Sequence, residues 1–500
     1  MPRLTRRELL AAAGLAAAGL AASCAAPTSE APRTTPQALA DLEKNLRGTV
    51  LRPDNPGYAE LAMPRNLRFA ATMPEAVVEC ADVEDVTATI AWARKTETPF
   101  AIRGGGHNYA DASSSRGIII STRAMNASSI DGTTLRAQAG VRNGDLARLL
   151  PQGGTGRLLL PGGNCPAVGL AGLTLGGGIG PNAPWAGLTS DRLRKATMVT
   201  AEGEVVTASA TENPELFWGL RGGAGGNFGL VTDLEYELVE LPVTRATTAL
   251  FTFGGREAGL AAAVAFQKIR AAAERSATGT LHLGYRNGDI EGRVRAQALA
   301  DAADARNVFG PLLSVPGVKA EIVERPFWGA YDWYVTAPTP NYSFWDRSLF
   351  ADDYLSEDVV AQAIDVVQRF PANGDPARRG AMGIFGWVGG AVNDVAANAT
   401  AYVHRSAKIL VEMTSSWATP EESVLPDNPI PPEIRDWEQD LWETLLPHTT
   451  GQSYQNFPDP GLEEWAAAYY GDNLVRLEGL KATWDPEDVF NYIQGIPLPR

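Results

Sequence analysis

Two glycine-rich segments of the chain each carry one side chain that can form a covalent bond. The first is Arg103–Asn108 (RGGGHN), in which three glycines precede the imidazole of His107. The second is Pro161–Gly169 (PGGNCPAVG), which contains the thiol of Cys165. Consecutive glycines let a backbone approach a phosphate closely and direct its N–H groups at it. The two segments therefore indicate a phosphate-binding site flanked by two nucleophiles.

Further motifs follow these segments in order along the chain. They are 175–180 (LGGGIG), 187–191 (GLTSD), 216–223 (LFWGLRGG), 225–232 (GGNFGLVT), 469–473 (YYGDN) and 484–490 (WDPEDVF). Together the motifs resemble the berberine bridge enzyme-like oxidases of the vanillyl-alcohol oxidase superfamily, over nearly the whole chain after about residue 45. The resemblance implies an α+β fold, in which a PCMH-type FAD-binding domain carries an inserted substrate domain of antiparallel sheet backed by helices.

The resemblance also implies how FAD is held. In that family the histidine of R-x-G-G-H is joined to the flavin 8α-methyl group, and the cysteine of G-x-C-x-x-V-G is joined to flavin C6. The matching residues are His107 and Cys165, so FAD attached through both is implied. The FAD-binding residues implied in this chain are Arg103, Gly104, Gly105, Gly106, His107, Asn108, Cys165, Val168, Gly169, Gly172, Gly176, Gly177, Val231 and Asn473.

Each of these assignments has a purely structural alternative. His107 could cap the turn by hydrogen bonding, and Cys165 could be a small buried apolar residue. Arg103 could pair with the pyrophosphate or form a surface salt bridge. Of the remaining glycine clusters, which could be simple tight turns, 176–178 is expected to cradle FAD in preference to 222–226.

Two residues bear on the reaction itself. Val168 occupies a place where, in the family, valine is associated with oxygen access and a bulkier residue with dehydrogenases; ordinary packing is the alternative. Tyr454 lies in 453–459 (SYQNFPD), which resembles the family's Y-x-N-[YF]-x-D segment. The resemblance implies that Tyr454 is the base that removes a hydroxyl proton during hydride transfer. A free tyrosine has a pKa of about 10, so surrounding groups would have to lower the pKa of Tyr454 for it to act as a base. Packing at a domain seam is the alternative role.

Other segments leave the substrate open. Sugar-oxidising relatives place a carboxylate on the strand before a W/Y-G-G element, but 382–390 (MGIFGWVGG) contains no acid, which puts a carbohydrate substrate in doubt. Tyr334 or Tyr402 could substitute. The aromatic segment 326–334 could be a stacking platform or core. His404, followed by Arg405, could border the cavity or be a satisfied structural histidine.

Composition excludes several classes of function. The formal net charge of −15 argues against nucleic acid as a partner. The three cysteines, Cys24, Cys80 and Cys165, do not make a disulfide framework, and Cys80 lies in an apolar stretch typical of core. The four histidines have no carboxylate or cysteine at ligand spacing, so no metal site is expected.

The N-terminus predicts export. Residues 5–10 (TRRELL) form a twin-arginine pattern, which implies the Tat machinery as a partner, and an apolar stretch over 9–22 follows. This stretch is shorter than the ~20 residues of a membrane-spanning helix. Residues 20–24 (LAASC) resemble a lipobox that would acylate Cys24; cleavage near 22–26 with release of the enzyme is the alternative. The protein is thus expected outside the cell or on its surface.

Composition, together with the family resemblance, implies a division of the chain into consecutive parts. These are an export segment (1–26), a disordered tether (27–45), an FAD-binding domain (46–242), a substrate domain (243–450) and a C-terminal segment that returns to the FAD domain (451–500). Periodicity predicts helices over 83–93, 258–272 and 359–368. It predicts strands over 99–103, 117–121, 196–200, 205–208, 280–285, 318–324 and 408–414.

The sequence therefore predicts an FAD-dependent oxidase. Its expected substrate is a C–OH group of a bulky small molecule, an oligosaccharide or a secondary metabolite, with O2 as the acceptor and H2O2 as product. One alternative is a dehydrogenase that uses another acceptor. The other is a non-catalytic, surface-anchored flavin-binding lipoprotein.

Overall fold

The computed structural model describes residues 36–286, 288–335, 341–419 and 429–499. The predicted export segment, 1–26, and its Cys24 lie outside these described residues. Within the described ranges, no helix combines the length and the apolar composition needed to cross a membrane.

The predicted disordered tether is wrong for the part of it that the structure describes. Pro36–Glu43 forms a helix that buries Leu39 and Leu42. These leucines join an apolar cluster that includes Ile90 of the next long helix. Burial of the two leucines offsets the entropy of ordering a segment whose composition is typical of a linker.

The strands are numbered along the chain. They are β1 (Thr49–Leu51), β2 (Ala76–Glu79), β3 (Phe100–Arg103), β4 (Ile118–Ser121), β5 (Ser128–Asp131), β6 (Thr134–Gln138), β7 (Leu158–Leu159), β8 (Leu193–Val199), β9 (Val205–Ser209), β10 (Leu230–Glu237), β11 (Val239–Glu240), β12 (Arg245–Gly254), β13 (Ala277–Arg286), β14 (Asp289–Ala298), β15 (Lys319–Pro326), β16 (Phe344–Ala351), β17 (Arg379–Phe385) and β18 (Ile409–Ser416).

The α-helices follow the same convention. They are α1 (Pro36–Glu43), α2 (Tyr58–Ala62), α3 (Val83–Lys95), α4 (Asn143–Leu149), α5 (Leu170–Leu175), α6 (Ala183–Ala186), α7 (Pro214–Gly219), α8 (Arg256–Ala272), α9 (Ala302–Val308), α10 (Gly310–Leu313), α11 (Phe327–Tyr334), α12 (Glu357–Gln368), α13 (Pro432–Leu445), α14 (Trp465–Tyr470) and α15 (Leu474–Trp484).

The first sheet has the order β1-β2-β4-β3, and β4 pairs in parallel with both β2 and β3. Helix α3 connects β2 to β3 and buries Val86, Ile90 and Ala93, which recur at helical spacing. The helix predicted over 83–93 and the strands predicted over 99–103 and 117–121 are thus confirmed. Because β3 ends at Arg103, the first glycine turn starts at the end of a parallel strand of this sheet.

The second sheet is antiparallel and has the order β5-β6-β10-β8-β9. The second glycine-rich segment and α5 lie in the connection between β7 and β8. Strand β10 is the central strand, and its end at Leu230 and Val231 borders the same cavity as the first glycine turn. The first two sheets therefore present their loops to one place.

The third sheet is wholly antiparallel, with the order β15-β12-β14-β13-β17-β18-β16. Side chains alternate between its two faces, because successive residues of a strand point to opposite sides. On one face Leu281, Val294, Ile384 and Val411 pack in the largest apolar cluster, together with residues of α8, α12 and α13. The other face is directed at the first two sheets. The predicted fold class is confirmed, as are the helices α8 and α12 that back the sheet.

The C-terminal segment is fixed by a buried ion pair. The Lys481 ammonium lies 2.7 Å from an Asp485 carboxylate oxygen, and both side chains are at most 1% exposed. Lys481 also donates to the backbone oxygens of Asn227 (3.1 Å) and Phe490 (2.8 Å). Asp485 accepts the N–H of Phe490 at 2.8 Å. This network ties α15 to the loop before β10.

We expect Asp485→Asn to lower the free energy of unfolding by about 3–5 kcal/mol, because it leaves the Lys481 charge buried without its main partner. Asp488→Asn is the matched control: Asp488 also contacts Lys481, at 2.9 Å, but its side chain is 44% exposed. For the control we expect a loss below about 1 kcal/mol. Denaturant unfolding of both variants measures the difference, and equal losses would contradict the role given to the pair.

Candidate active site

A cavity of about 450 Å³ lies between the sheets. One wall consists of the first glycine turn, 104–108, and of residues 163–165, 168 and 169 of the second. Residues 224–226 and Val231 continue that wall. The third sheet forms the roof, and 454–458 and 489–494 close the remaining side.

The two glycine turns touch through their backbones. A Cβ atom added at Gly105 would lie 2.3 Å from the nitrogen of Gly169, and one added at Gly169 would lie 2.6 Å from the nitrogen of Gly105. No side chain fits between atoms at such distances. Glycine is therefore required at both positions, and the contact brings His107 and Cys165 to one cavity.

His107 is held as a neutral imidazole. Burial, reinforced by the charge of Arg65, lowers the pKa of His107 to about 4. At neutral pH a ring nitrogen of His107 therefore keeps its lone pair, which is the form that acts as a nucleophile.

The loop that carries Cys165 is fixed by Asn143 at the start of α4. The Asn143 side-chain amide donates to the carbonyls of Gly163 (3.3 Å) and Cys165 (3.2 Å). The cysteine itself is partly exposed and lines the cavity, whereas the other described cysteine, Cys80, is fully buried as predicted. The two nucleophiles that the sequence singled out therefore share one cavity.

The prediction that Arg103 pairs with a pyrophosphate is wrong. Its side chain is 4% exposed and its donors are used within the protein. Nε donates to the Ser113 carbonyl (2.9 Å), Nη1 to the carbonyls of Leu61 (2.7 Å) and Ala62 (2.6 Å), and Nη2 to Ser114 Oγ (3.1 Å). Arg103 thus fixes the loops beneath the glycine turn.

The assignment of Asn473 to the FAD-binding residues is also wrong. It does not border the cavity, because its amide donates to the carbonyls of Ala397 (2.8 Å) and Thr400 (3.2 Å). The motif that contains it holds a loop of the substrate domain.

The expected ranking of the remaining glycine clusters is reversed. Gly176 and Gly177 pack against side chains: an added Cβ would lie 2.1 Å from Asn456 Oδ1 at the first and 2.5 Å from Tyr402 Cδ2 at the second. Neither borders the cavity, whereas Gly225 and Gly226 do. Asn108, Val168, Gly169, Gly172 and Val231 line the cavity as the sequence predicts.

Tyr454 borders the cavity with an unusual set of partners. Its phenol oxygen accepts hydrogen bonds from the backbone N–H groups of Gly178 (3.1 Å) and Ile179 (3.3 Å) and from the side-chain amide of Asn456 (3.1 Å). Burial raises the pKa of Tyr454 above its usual value, and these three hydrogen bonds offset only part of that rise. The three converging N–H groups are placed to stabilise negative charge that develops on the phenol oxygen when its proton leaves. The sequence could not reveal these donors.

The roof supplies a carboxyl pair that sequence reasoning missed. Glu412 on β18 is paired in register with Gly383, on the strand that lacks an acid, and it lines the cavity. Asp346 on β16 lies diagonally next to it, since Ser348 is opposite Glu412. Burial, and then the charge of Asp346, raises the pKa of Glu412 well above its usual range. The pair therefore holds a proton at neutral pH. The sequence signal that could have identified Glu412 is an acidic residue within the apolar run 409–413 (ILVEM).

Two segments whose role was left open are mainly structural. In 326–334, Phe327 and Tyr331 are buried in the core of the first domain, and only Tyr334 reaches the cavity. His404 is 1% exposed and bonded to Gln452 (3.0 Å) and Gln455 (3.2 Å).

The neighbouring Arg405 forms a bidentate ion pair with Asp191, at 3.0 and 2.7 Å.

In the described ranges, no cluster of three or more His, Cys, Asp or Glu side chains has the arrangement of a metal site.

Comparisons with known proteins identify the class. A family model described as "FAD binding domain" matches residues 74–209, and one described as "Berberine and berberine like" matches residues 453–497. These matches cover the two glycine turns of the cavity wall and the segment that carries Tyr454. The fold and the site thus define an FAD-linked oxidoreductase.

Similar proteins extend over most of the chain. An uncharacterized FAD-linked oxidoreductase, YgaK, of Bacillus subtilis (strain 168) is 30% identical over 91% of this chain and 98% of its own. Glucooligosaccharide oxidase of Sarocladium strictum is 30% identical over 85% of this chain and 87% of its own. A solved structure of glucooligosaccharide oxidase from Acremonium strictum, described with a 6-S-cysteinyl, 8α-N1-histidyl FAD, has a TM-score of 0.79 and 26% identity over 92% of this chain and 98% of that chain.

The chain belongs to the berberine bridge enzyme-like family of FAD-linked oxidoreductases, as its motifs predicted. The residues present fit FAD. Gly172, on α5, lines the cavity, and a Cβ added there meets no atom within 4 Å, so that it would enter the space of a ligand. Neighbouring backbone at Gly104–Gly106 offers the close approach that a phosphate or a ring requires.

We expect Gly172→Leu to abolish flavin binding, because the new side chain would occupy the cavity. Gly479→Leu is the matched control: Gly479 is also in a helix, and a Cβ there meets nothing within 4 Å, but it does not border the cavity. The ratio of flavin to protein absorbance after purification measures the outcome. Full flavin content in Gly172→Leu would show that the cofactor lies elsewhere.

Proposed function

We propose that the protein oxidises a C–OH group of a saccharide or a similarly hydroxylated, bulky small molecule, with FAD attached through His107 and Cys165 and with O2 as the acceptor that yields H2O2. The observation that carries the proposal is that both nucleophiles and a tyrosine oxygen with three N–H donors border one cavity. When bound, FAD supplies the acceptor for the two electrons that leave the substrate carbon.

The two attachment points are supported by the state of the residues. The neutral imidazole of His107 and the cavity-facing thiol of Cys165 are nucleophiles of the kind that form such bonds, and a glucooligosaccharide oxidase with cysteinyl and histidyl FAD shares the fold. A covalent bond also prevents loss of the cofactor outside the cell. This fits the twin-arginine pattern of residues 5–10, on which we propose export of the folded enzyme, with Cys24 as a lipid anchor.

Side chains of the protein, in this proposal, remove the substrate hydroxyl proton and bind the substrate oxygen. We assign removal of the substrate hydroxyl proton to Tyr454, whose oxygen accepts hydrogen bonds from Gly178, Ile179 and Asn456 that would stabilise charge developing on it. The backbone of Tyr454 is fixed to the roof, since its N–H donates to Ser348 Oγ at 3.0 Å. A protonated Glu412 is placed to donate a hydrogen bond to a substrate oxygen.

Hydroxyl-rich substrates are favoured by unpaired donors. Trp387 Nε1 and Thr280 Oγ1 have no hydrogen-bond partner among the described residues, although both side chains are buried and line the cavity. Buried polar groups are costly unless bonded, so a ligand with hydroxyl groups would satisfy them. This supports a saccharide substrate, which the absence of an acidic residue in 382–390 had put in doubt.

Covalent attachment is tested by acid denaturation followed by mass spectrometry. We expect flavin to stay on peptides that contain His107 and Cys165 in the wild type. His107→Ala and Cys165→Ala should each keep flavin through the remaining bond, and the double variant should release it. Free FAD from the denatured wild type would overturn the attachment.

The role of Tyr454 is tested by rapid reduction of the flavin under anaerobic conditions. We expect Tyr454→Phe to lower the reduction rate by about 10²–10⁴-fold, which is the usual contribution of a general base. Tyr402→Phe is the control, because Tyr402 is equally buried 6.3 Å away, ring centroid to centroid, but does not line the cavity.

An unchanged rate in Tyr454→Phe would remove that residue from the mechanism. If no saccharide or alcohol reduces the wild-type flavin, the proposed reaction is overturned in favour of a flavin-binding protein. Mixing the reduced enzyme with air then tests the acceptor. Slow reoxidation would indicate a dehydrogenase.

A further inference from the structure

The cavity-facing side of the third sheet carries basic side chains at one end and an acidic side chain at the other. Strand register aligns Arg293, His282, Gly383, Glu412 and Ser348, one from each of β14, β13, β17, β18 and β16. We call these five residues the roof row. Ser348 contacts the backbone of Tyr454, so the reacting end of the roof row is at Glu412 and Ser348. Arg293 is three strand spacings from Glu412, or about 14 Å.

Two arginines at the far end lack acidic partners. Arg293 and Arg295 both line the cavity, and neither lies within 4.0 Å of a carboxylate in the described ranges. Arg286, on the neighbouring strand, is instead paired with Glu291 at 2.8 Å. Arg293 is exposed at the rim of the cavity and Arg295 is half-buried. In a chain with a net charge of −15, two guanidinium groups without a carboxylate partner at one end of a cavity favour an anion there.

Arg295 is fixed in place before any ligand arrives. Its guanidinium carbon lies 4.6 Å from the ring centroid of Trp333 and 5.4 Å from that of Tyr334. One Nη group donates to the Trp333 carbonyl, and the Tyr334 hydroxyl donates to the Arg295 carbonyl at 2.8 Å. A planar group held by stacking loses little entropy on binding, and its free N–H groups match a carboxylate.

His282 does not add to this charge. Burial, and then the charges of Arg293 and Arg295, lowers the pKa of His282 to about 3. It is therefore neutral at physiological pH and separates the arginines from Glu412 along the roof row. Thr280, opposite Arg295, supplies the unpaired hydroxyl already noted. The roof thus has a cationic end, a neutral polar middle and a protonated acid at the reacting end.

We propose that the substrate carries a carboxylate, which Arg293 and Arg295 bind, on a unit remote from the carbon that is oxidised. This deepens the proposed function and rests on it: the substrate class is an acidic oligosaccharide, with the carboxylate on a sugar unit beyond the oxidised one. Arg293 and Arg295 are specificity-determining residues, because they recognise a group that does not react.

The test uses a uronic acid trisaccharide and its methyl ester, which has the same skeleton without charge. Calorimetric titration of the flavin-loaded enzyme should give an affinity for the acid at least about tenfold higher than for the ester, as is usual for hydrogen bonds between charged groups. Arg293→Gln should reduce this preference to below about threefold, and Arg295→Lys, which keeps the charge but loses the planar fork, should reduce it in part.

Arg286→Gln is the control, because Arg286 is already neutralised by Glu291. It should keep the wild-type preference. Equal affinity for acid and ester, no measurable affinity for either, or equal effects of Arg293→Gln and Arg286→Gln would each overturn the inference.

Peroxide release from the same two sugars separates this inference from the proposed function. Oxidation of both at equal kcat/KM would overturn the specificity and leave the oxidase. Preferential, Arg293-dependent binding of the acid without oxidation of any sugar would support the carboxylate site and overturn the proposed reaction.

Discussion

The site depends on a close contact between two backbones. Gly105 and Gly169 approach so closely that a Cβ on either would overlap a backbone nitrogen of the other. The first glycine follows a parallel strand of one sheet, and the second precedes the helix α5. Their contact therefore joins the two halves of the first domain and places His107 and Cys165 on one wall. A larger residue at either position would separate the two nucleophiles.

The second constraint is the register of the third sheet. Because side chains alternate along each strand, the residues that face the cavity are fixed once the register is fixed. Glu412 thereby occupies the place opposite Gly383, and Arg293 falls at the far end of the same row. The C-terminal segment is bonded to β16 at Ser348, which brings Tyr454 under the acidic end. Tyr454, Glu412 and Arg293 thus follow one another along the cavity-facing side of this sheet.

Much of the fold and of the site could be predicted from the sequence, and the wrong assignments have a common cause. The helices α3, α8 and α12 bury faces that are visible as periodicity, and the glycine motifs mark turns whose residue type is dictated by space. Arg103 and Asn473 were misassigned because a motif places a residue in the chain but does not say which partners saturate it. In both cases nearby carbonyls take the donors that a cofactor was expected to use.

The sequence by itself determined the family, the fold class and the two nucleophiles, because these depend on residue types at short spacing, and local geometry follows from them. Only the tertiary structure decided the chemistry of the site. Two of the three donors on Tyr454 come from a loop more than two hundred and seventy residues earlier, and Glu412 lies on the strand next to the one that lacks an acid. Both depend on sheet register and loop packing. The segments involved are distant along the chain and become neighbours in space only when the core forms.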